Sequence, residues 1–260
     1  MSLLIRNVTG HDVVTLWEYV DENSPVTEDE LLDNFFPEDP TDPEKDDQIK
    51  PLEDAIEFLK ETSQITESGD GYQIDHEFCD SKYSIELNIL RGIRRQHDDT
   101  AAYNEILEHL VHDDEITFDR RSGLVDAMSE RMPHESWNDT RLRYWVRVMQ
   151  VIGIVRDINP ESGEDATTVI SPEKELLFEM FEVAMEETGS RALSDVLDHI
   201  HQTYLPVYAQ GGRLSAYMDR CLKLYDGAET ADGQRALNLG TESDMGEPVG
   251  ENDYRSIRFS

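Results

Sequence analysis

The residues best suited to chemistry in this 260-residue chain fall in one run, NDTRLRYWVRVMQVIG, at 138–153. Arg143, Arg147 and Gln150 recur at i, i+4 and i+7, so they share one face of a helix. The opposite face is the apolar stripe Leu142, Trp145, Val146 and Met149. Guanidinium and carboxamide groups so spaced are the types that read base edges or hold phosphates. Asn138 and Arg141 stand at the start of the same helix, and Arg156 follows it at the base of an expected hairpin. Arg91, Arg94 and Arg95 add a second basic group upstream. The same arginines have a plainer reading: a surface Arg most often pairs with a carboxylate one turn away or on a neighbouring element. With 57 acidic residues in the chain, partners are plentiful.

Other polar groupings carry less. His109 and His112 lie three apart near a helix end, followed by Asp113, Asp114 and Glu115. A metal site needs three or four converging ligands, whereas a helix C-terminus favours His through its dipole. Asp75, His76, Glu77, Cys79 and Asp80 are ligand types without a spaced partner cluster, and His199 and His201 point to opposite sides of one helix. Cys79 and Cys221 form neither a disulfide framework nor a zinc pattern, and Cys221 falls on an apolar helix face. Dinucleotide-binding, P-loop, zinc-protease and nucleophile-elbow motifs do not occur. The chain is therefore expected to have no catalytic centre, no bound metal and no cofactor.

Three stretches must position these residues, and each reads helix, helix, amphipathic helix, hairpin. In the first, residues 10–76, Val13, Leu16, Trp17 and Val20 define a helix that stops at Asn23-Ser24-Pro25. Thr27 and Glu30 form a capping box for the next helix. After the insertion PEDPTDPEKDD come a helix with Leu52, Ile56 and Leu59 and the hairpin QIT-ESGDG-YQI. In the second, 100–170, Thr100 caps a helix, Thr117 is expected to start another, and the 138–153 helix ends at Gly153. IVRDI, the tip NPESGED and ATTVI form its hairpin. In the third, 171–260, Ser171-Pro172 is expected to open a helix that ends at Gly189, followed by a helix over 193–200 and another in RLSAYMDRCLKLYDG, 213–227. RALNL and YRSIRF are expected to form a terminal hairpin.

This element order resembles the winged-helix variant of the helix-turn-helix, with the third helix the longest and directly before the hairpin. The resemblance implies a mainly α fold with short β-hairpins (α+β), built as tandem winged-helix-like modules. These would be an acidic module over 1–80, a linker helix over 81–98, a central module over 99–170 and a C-terminal module over 171–260. In DNA-binding winged helices the third helix enters the major groove and the wing touches the backbone. The first module would present Lys50, Asp54, Glu57 and Glu61 there, which repels phosphate. The third would present Arg213, Arg220 and Lys223 beside Asp219. The resemblance thus points to the central module, with Arg141, Arg143, Arg147, Gln150 and Arg156 as the nucleic-acid contact.

Charge bounds the rest. The formal net charge is −34, which excludes a generally basic nucleic-acid-coating protein. It is uneven: residues 1–80 carry net −19, 81–160 net −3 and 161–260 net −12, so the middle third is close to neutral. Seventeen Arg against six Lys, amid interleaved acids, resembles proteins of salt-in halophilic archaea. In molar salt, repulsion between exposed carboxylates is screened within about 3 Å. Such salt also weakens phosphate contacts. Six of them lose roughly five orders of magnitude over a tenfold rise in salt. No apolar run is long enough to span a membrane and the start does not read as a signal peptide, so a cytoplasmic protein is expected. The expectation is a non-enzymatic regulator or DNA-contacting subunit. Its alternative is an adaptor that binds protein partners, or further copies of itself, in a DNA-processing or phage-defence assembly.

Overall fold

The computed structural model describes residues 10–35, 46–95, 101–114, 116–119, 121–158, 167–224, 227–229, 235–238 and 254–258. Thr100, the tip NPESGED, the acid-rich loop before YRSIRF and most of the PEDPTDPEKDD insertion lie outside them. The described residues are mainly helical, with one two-stranded and two three-stranded sheets.

The first stretch folds as α1 (Gly10–Asn23), α2 (Glu28–Phe35), α3 (Asp46–Glu61), β1 (Ile65–Ser68) and β2 (Gly71–Ile74). Val13, Leu16 and Val20 are buried on one side of α1. The capping box forms: the Thr27 amide donates to Glu30 at 2.8 Å, and the Glu30 amide donates to the Thr27 hydroxyl at 3.3 Å. β1 and β2 pair antiparallel from Ile65↔Ile74 to Ser68↔Gly71. Val26, between α1 and α2, bridges Tyr72 through reciprocal backbone bonds of 2.9 and 2.8 Å. A Cβ at Gly71, where φ is +129°, would stand 2.5 Å from the Val26 carbonyl oxygen, so only glycine fits this edge.

α4 (Ile85–Arg95) joins the first stretch to the others. It approaches the end of α3 so closely that a Cβ on Gly92 would lie 2.1 Å from the Thr62 carbonyl oxygen. The buried Asn88 side chain donates to the carbonyls of Asp80, Tyr83 and Ser84, and the Gln64 side chain donates to the Asn88 carbonyl at 3.1 Å. These bonds anchor the loop before α4 and satisfy polar groups in an apolar surround.

The second stretch runs α5 (Ala101–His112), β3 (Thr117–Asp119), α6 (Arg121–Arg131), α7 (Asp139–Val151), β4 (Val155–Asp157) and β5 (Thr167–Ile170). Thr117 does not start a helix. Ile116 and Phe118 are buried and Thr117 is exposed, a period of two that belongs to a strand. β3 pairs with β5, β5 with β4, and both pairs are antiparallel. Gly153, at φ +79°, follows α7 as the spacing predicts.

The third stretch runs α8 (Lys174–Thr188), α9 (Leu193–Thr203), α10 (Ala216–Leu224), β6 (Gly227–Glu229), β7 (Arg235–Asn238) and β8 (Tyr254–Arg258). Three expectations are corrected. α8 starts at Lys174 with Glu173 at its N-cap, not at Ser171-Pro172. α10 has nine residues and is shorter than α8, because Leu214 stays extended to bridge Tyr208. RALNL and YRSIRF pair in parallel and not as a hairpin; the antiparallel partner of β7 is β6. Gly189 ends α8 in the left-handed conformation as expected.

The buried side chains of all three stretches and of α4 form one continuous cluster. α4 contacts α5, α8 and α9, and α1 packs against α7.

Candidate nucleic-acid interface

Asn138 is the N-cap of α7, its side chain accepting the Arg141 amide at 3.0 Å. The Arg141 guanidinium lies 5.3 Å from the centre of the Trp137 ring and donates to the Ser136 carbonyl at 2.6 Å and to Glu135 at 3.3 Å. Its side chain is only 14% exposed, so it braces the turn before α7 instead of facing outward. Arg143 donates to Asp139 at 2.5 Å, one turn back on the same helix. Gln150 donates to Asp157 on β4 at 2.9 Å, and Thr168 on β5 donates to the other oxygen of that carboxylate at 2.8 Å. Arg147 is exposed and has no ion pair among the described residues.

The structure therefore brings Arg143, Arg147 and Gln150 to one side of α7, as their spacing predicts, but two of the three are held by acidic residues of their own stretch. Arg156 belongs elsewhere. Successive residues of a strand point to opposite faces; Asp157 faces α7 through Gln150, whereas Arg156 is exposed on the other face of β4. Burial pushes the Cys221 thiol up to about 11, against the opposing pull of Arg220 and Arg156. Leu142, Trp145, Val146, Val148 and Met149 are buried, and α1 covers part of the same helix.

The upstream arginines are drawn inward as well. Arg94 donates to Asn104 at 2.5 Å, to Glu108, and to the backbone carbonyl of His201 on α9. Arg91 pairs with Glu187 on α8 at 3.0 Å. Glu187 also holds His199 at 2.7 Å and accepts the Tyr204 hydroxyl at 3.0 Å. Burial raises the Glu187 pKa, but His199, the Arg91 charge and the Tyr204 hydroxyl outweigh it, and the net shift is downward.

Of the acidic residues beyond His109 and His112, Glu115 lies outside the described residues and the other two are engaged. Asp113 pairs with Arg131 at 2.6 Å, and Asp114 with Arg213 at 2.8 Å and with the Ala216 amide at 2.5 Å. Among the described residues no group of three His, Cys, Asp or Glu could hold a metal ion. Asp75 ties into the turn it begins, and its amide donates to the Gln64 carbonyl at 3.0 Å. Cys79 is buried, its thiol donating to Gln64, and burial pushes that thiol up to about 12.

One site escapes a reading along the chain. The loop 76–83, α4 and the end of α8 enclose an open cleft of about 490 Å³ lined by His76, Phe78, Tyr83, Arg91, Arg95 and Glu187, among others. Its signal in the sequence is Phe78, an aromatic residue stranded in a run of polar ligand types. No family model, curated protein or solved structure gives a significant match to this chain.

Proposed function

We propose that the chain is a non-enzymatic scaffold of winged-helix-like modules, an adaptor that binds protein partners within a DNA-processing or defence assembly. The order β3-β5-β4 behind α5, α6 and α7 supports that module in the second stretch, and the Val26–Tyr72 bridge supports it in the first. The parallel β7–β8 pair departs from it in the third. The adaptor reading rests on one observation: Arg141, Arg143 and Gln150 are bonded within their own stretch and α1 lies on α7, so the helix that would enter a groove is used inside the molecule. Its high acid and low Lys content supports work at high salt, where phosphate contacts are weak.

A tagged chain purified from its host at working salt is expected to carry partner proteins in fixed ratio that survive nuclease treatment. Elution alone, or partners that leave with nuclease, overturns the adaptor reading. A second reading, duplex binding through α7, is favoured by the exposed Arg147. It predicts a duplex mobility shift that Arg147→Glu abolishes.

A further inference from the structure

The cleft between loop 76–83 and α4 gathers chemistry that the adaptor reading leaves unused. Phe78 is 39% exposed, one of two large apolar side chains so exposed among the described residues. The Arg95 guanidinium lies 5.7 Å from the centre of its ring. Arg95 has no hydrogen-bonded acceptor among the described residues. Arg91, one turn earlier, is held in the lining by Glu187. Partial burial and the neighbouring Arg91 charge lower the Arg95 pKa in spite of the opposing pull of Glu187, so an added anion would favour its charged form.

An aromatic platform beside a guanidinium suits a base stacked on the ring with its phosphate on the cation. The volume, about 490 Å³, lies within the range of small-ligand sites. The lining also contains Glu77 and Asp80, and Glu187 already neutralises Arg91. A phosphate bearing two charges would meet these carboxylates, whereas a phosphodiester bears one. We propose that this cleft holds one nucleotide of a single-stranded nucleic acid, its base on Phe78 and its phosphodiester at Arg95. Stacking is short-ranged and survives salt that screens phosphate contacts, which fits a chain of net charge −34. The cleft lining includes no residue of α7, and the test reads nucleic-acid binding without any protein partner, so its failure and the failure of the adaptor reading are distinguishable.

The test is fluorescence anisotropy of a labelled oligothymidylate of roughly ten nucleotides, within typical single-strand site sizes, at high salt. Wild type is expected to saturate, Phe78→Ala to weaken binding about tenfold or more, and Phe78→Trp to keep it. Arg95→Gln is expected to weaken it and Arg147→Glu to leave it unchanged. Both cleft positions are exposed, and circular dichroism verifies that each variant folds. Absence of saturable binding, equal binding by Phe78→Ala, or loss only in Arg147→Glu overturns the proposal. Displacement by thymidine monophosphate at matching nucleotide concentration would assign the cleft to a free nucleotide and overturn it too.

Discussion

At the scale of single residues, Glu187 ties the third stretch to α4, because one carboxylate serves Arg91, His199 and Tyr204. Replacing it by Gln leaves Arg91 without its counter-charge, and the loss in unfolding free energy is expected to be about 2 kcal/mol at neutral pH. The Glu187 pKa lies below its ordinary value of 4.5, so its stabilisation is complete above that pH and is lost as pH falls through the lower, folded-state value. Urea titrations should show wild type and Glu187→Gln converging in acid; a gap independent of pH contradicts this. The two thiols make a second check. Cys79 and Cys221 are buried with raised pKa values, so a disulfide reagent is expected to label neither until the chain unfolds. Rapid labelling of the native protein would refute that burial. Spacing alone placed Arg143, Arg147 and Gln150 on one face. It could not reveal Asp157 as the Gln150 partner, because that pairing depends on how β4 returns against α7. Nor could it say which face of β4 Arg156 takes, since that depends on register.

At the scale of elements, the helices were legible because their apolar positions recur at helical spacing and their ends carry caps: Thr27 with Glu30, Asn138, Gly153 and Gly189. β3 was not: Ile116, Thr117 and Phe118 do alternate, but one apolar–polar–apolar alternation is too little to decide against the helical spacing that follows it. The parallel β7–β8 pair was hidden for a different reason: two short apolar runs joined by a loop carry no mark of their relative direction. Helix packing was also silent in the sequence. Gly92 reads as a weak point in a helix, where Ala is favoured by about 1 kcal/mol. Its approach to the Thr62 carbonyl reverses that preference. Gly92→Ala is expected to cost about 2 kcal/mol or more in chemical denaturation, and an unchanged or raised midpoint would show that α4 does not lie so close to α3.

For the whole molecule, the charge of −34 and its uneven spread set the conditions of stability. Raising salt from about 0.1 M to about 1 M shortens the screening length from roughly 10 Å to 3 Å, so the thermal midpoint is expected to climb with KCl. A midpoint that falls or stays flat would remove the halophilic reading. Most of the positive charge placed by the structure near α4 and α7 is matched by the chain's own acids, with Arg91, Arg94, Arg141 and Arg143 all in ion pairs. On the proposed adaptor reading, α7 serves the interior of this protein and does not read a DNA groove. Duplex binding by wild type and Arg147→Glu, measured by anisotropy at working salt, tests it most directly. Neither protein is expected to bind duplex saturably; saturable binding by wild type that Arg147→Glu abolishes would overturn the adaptor reading of α7.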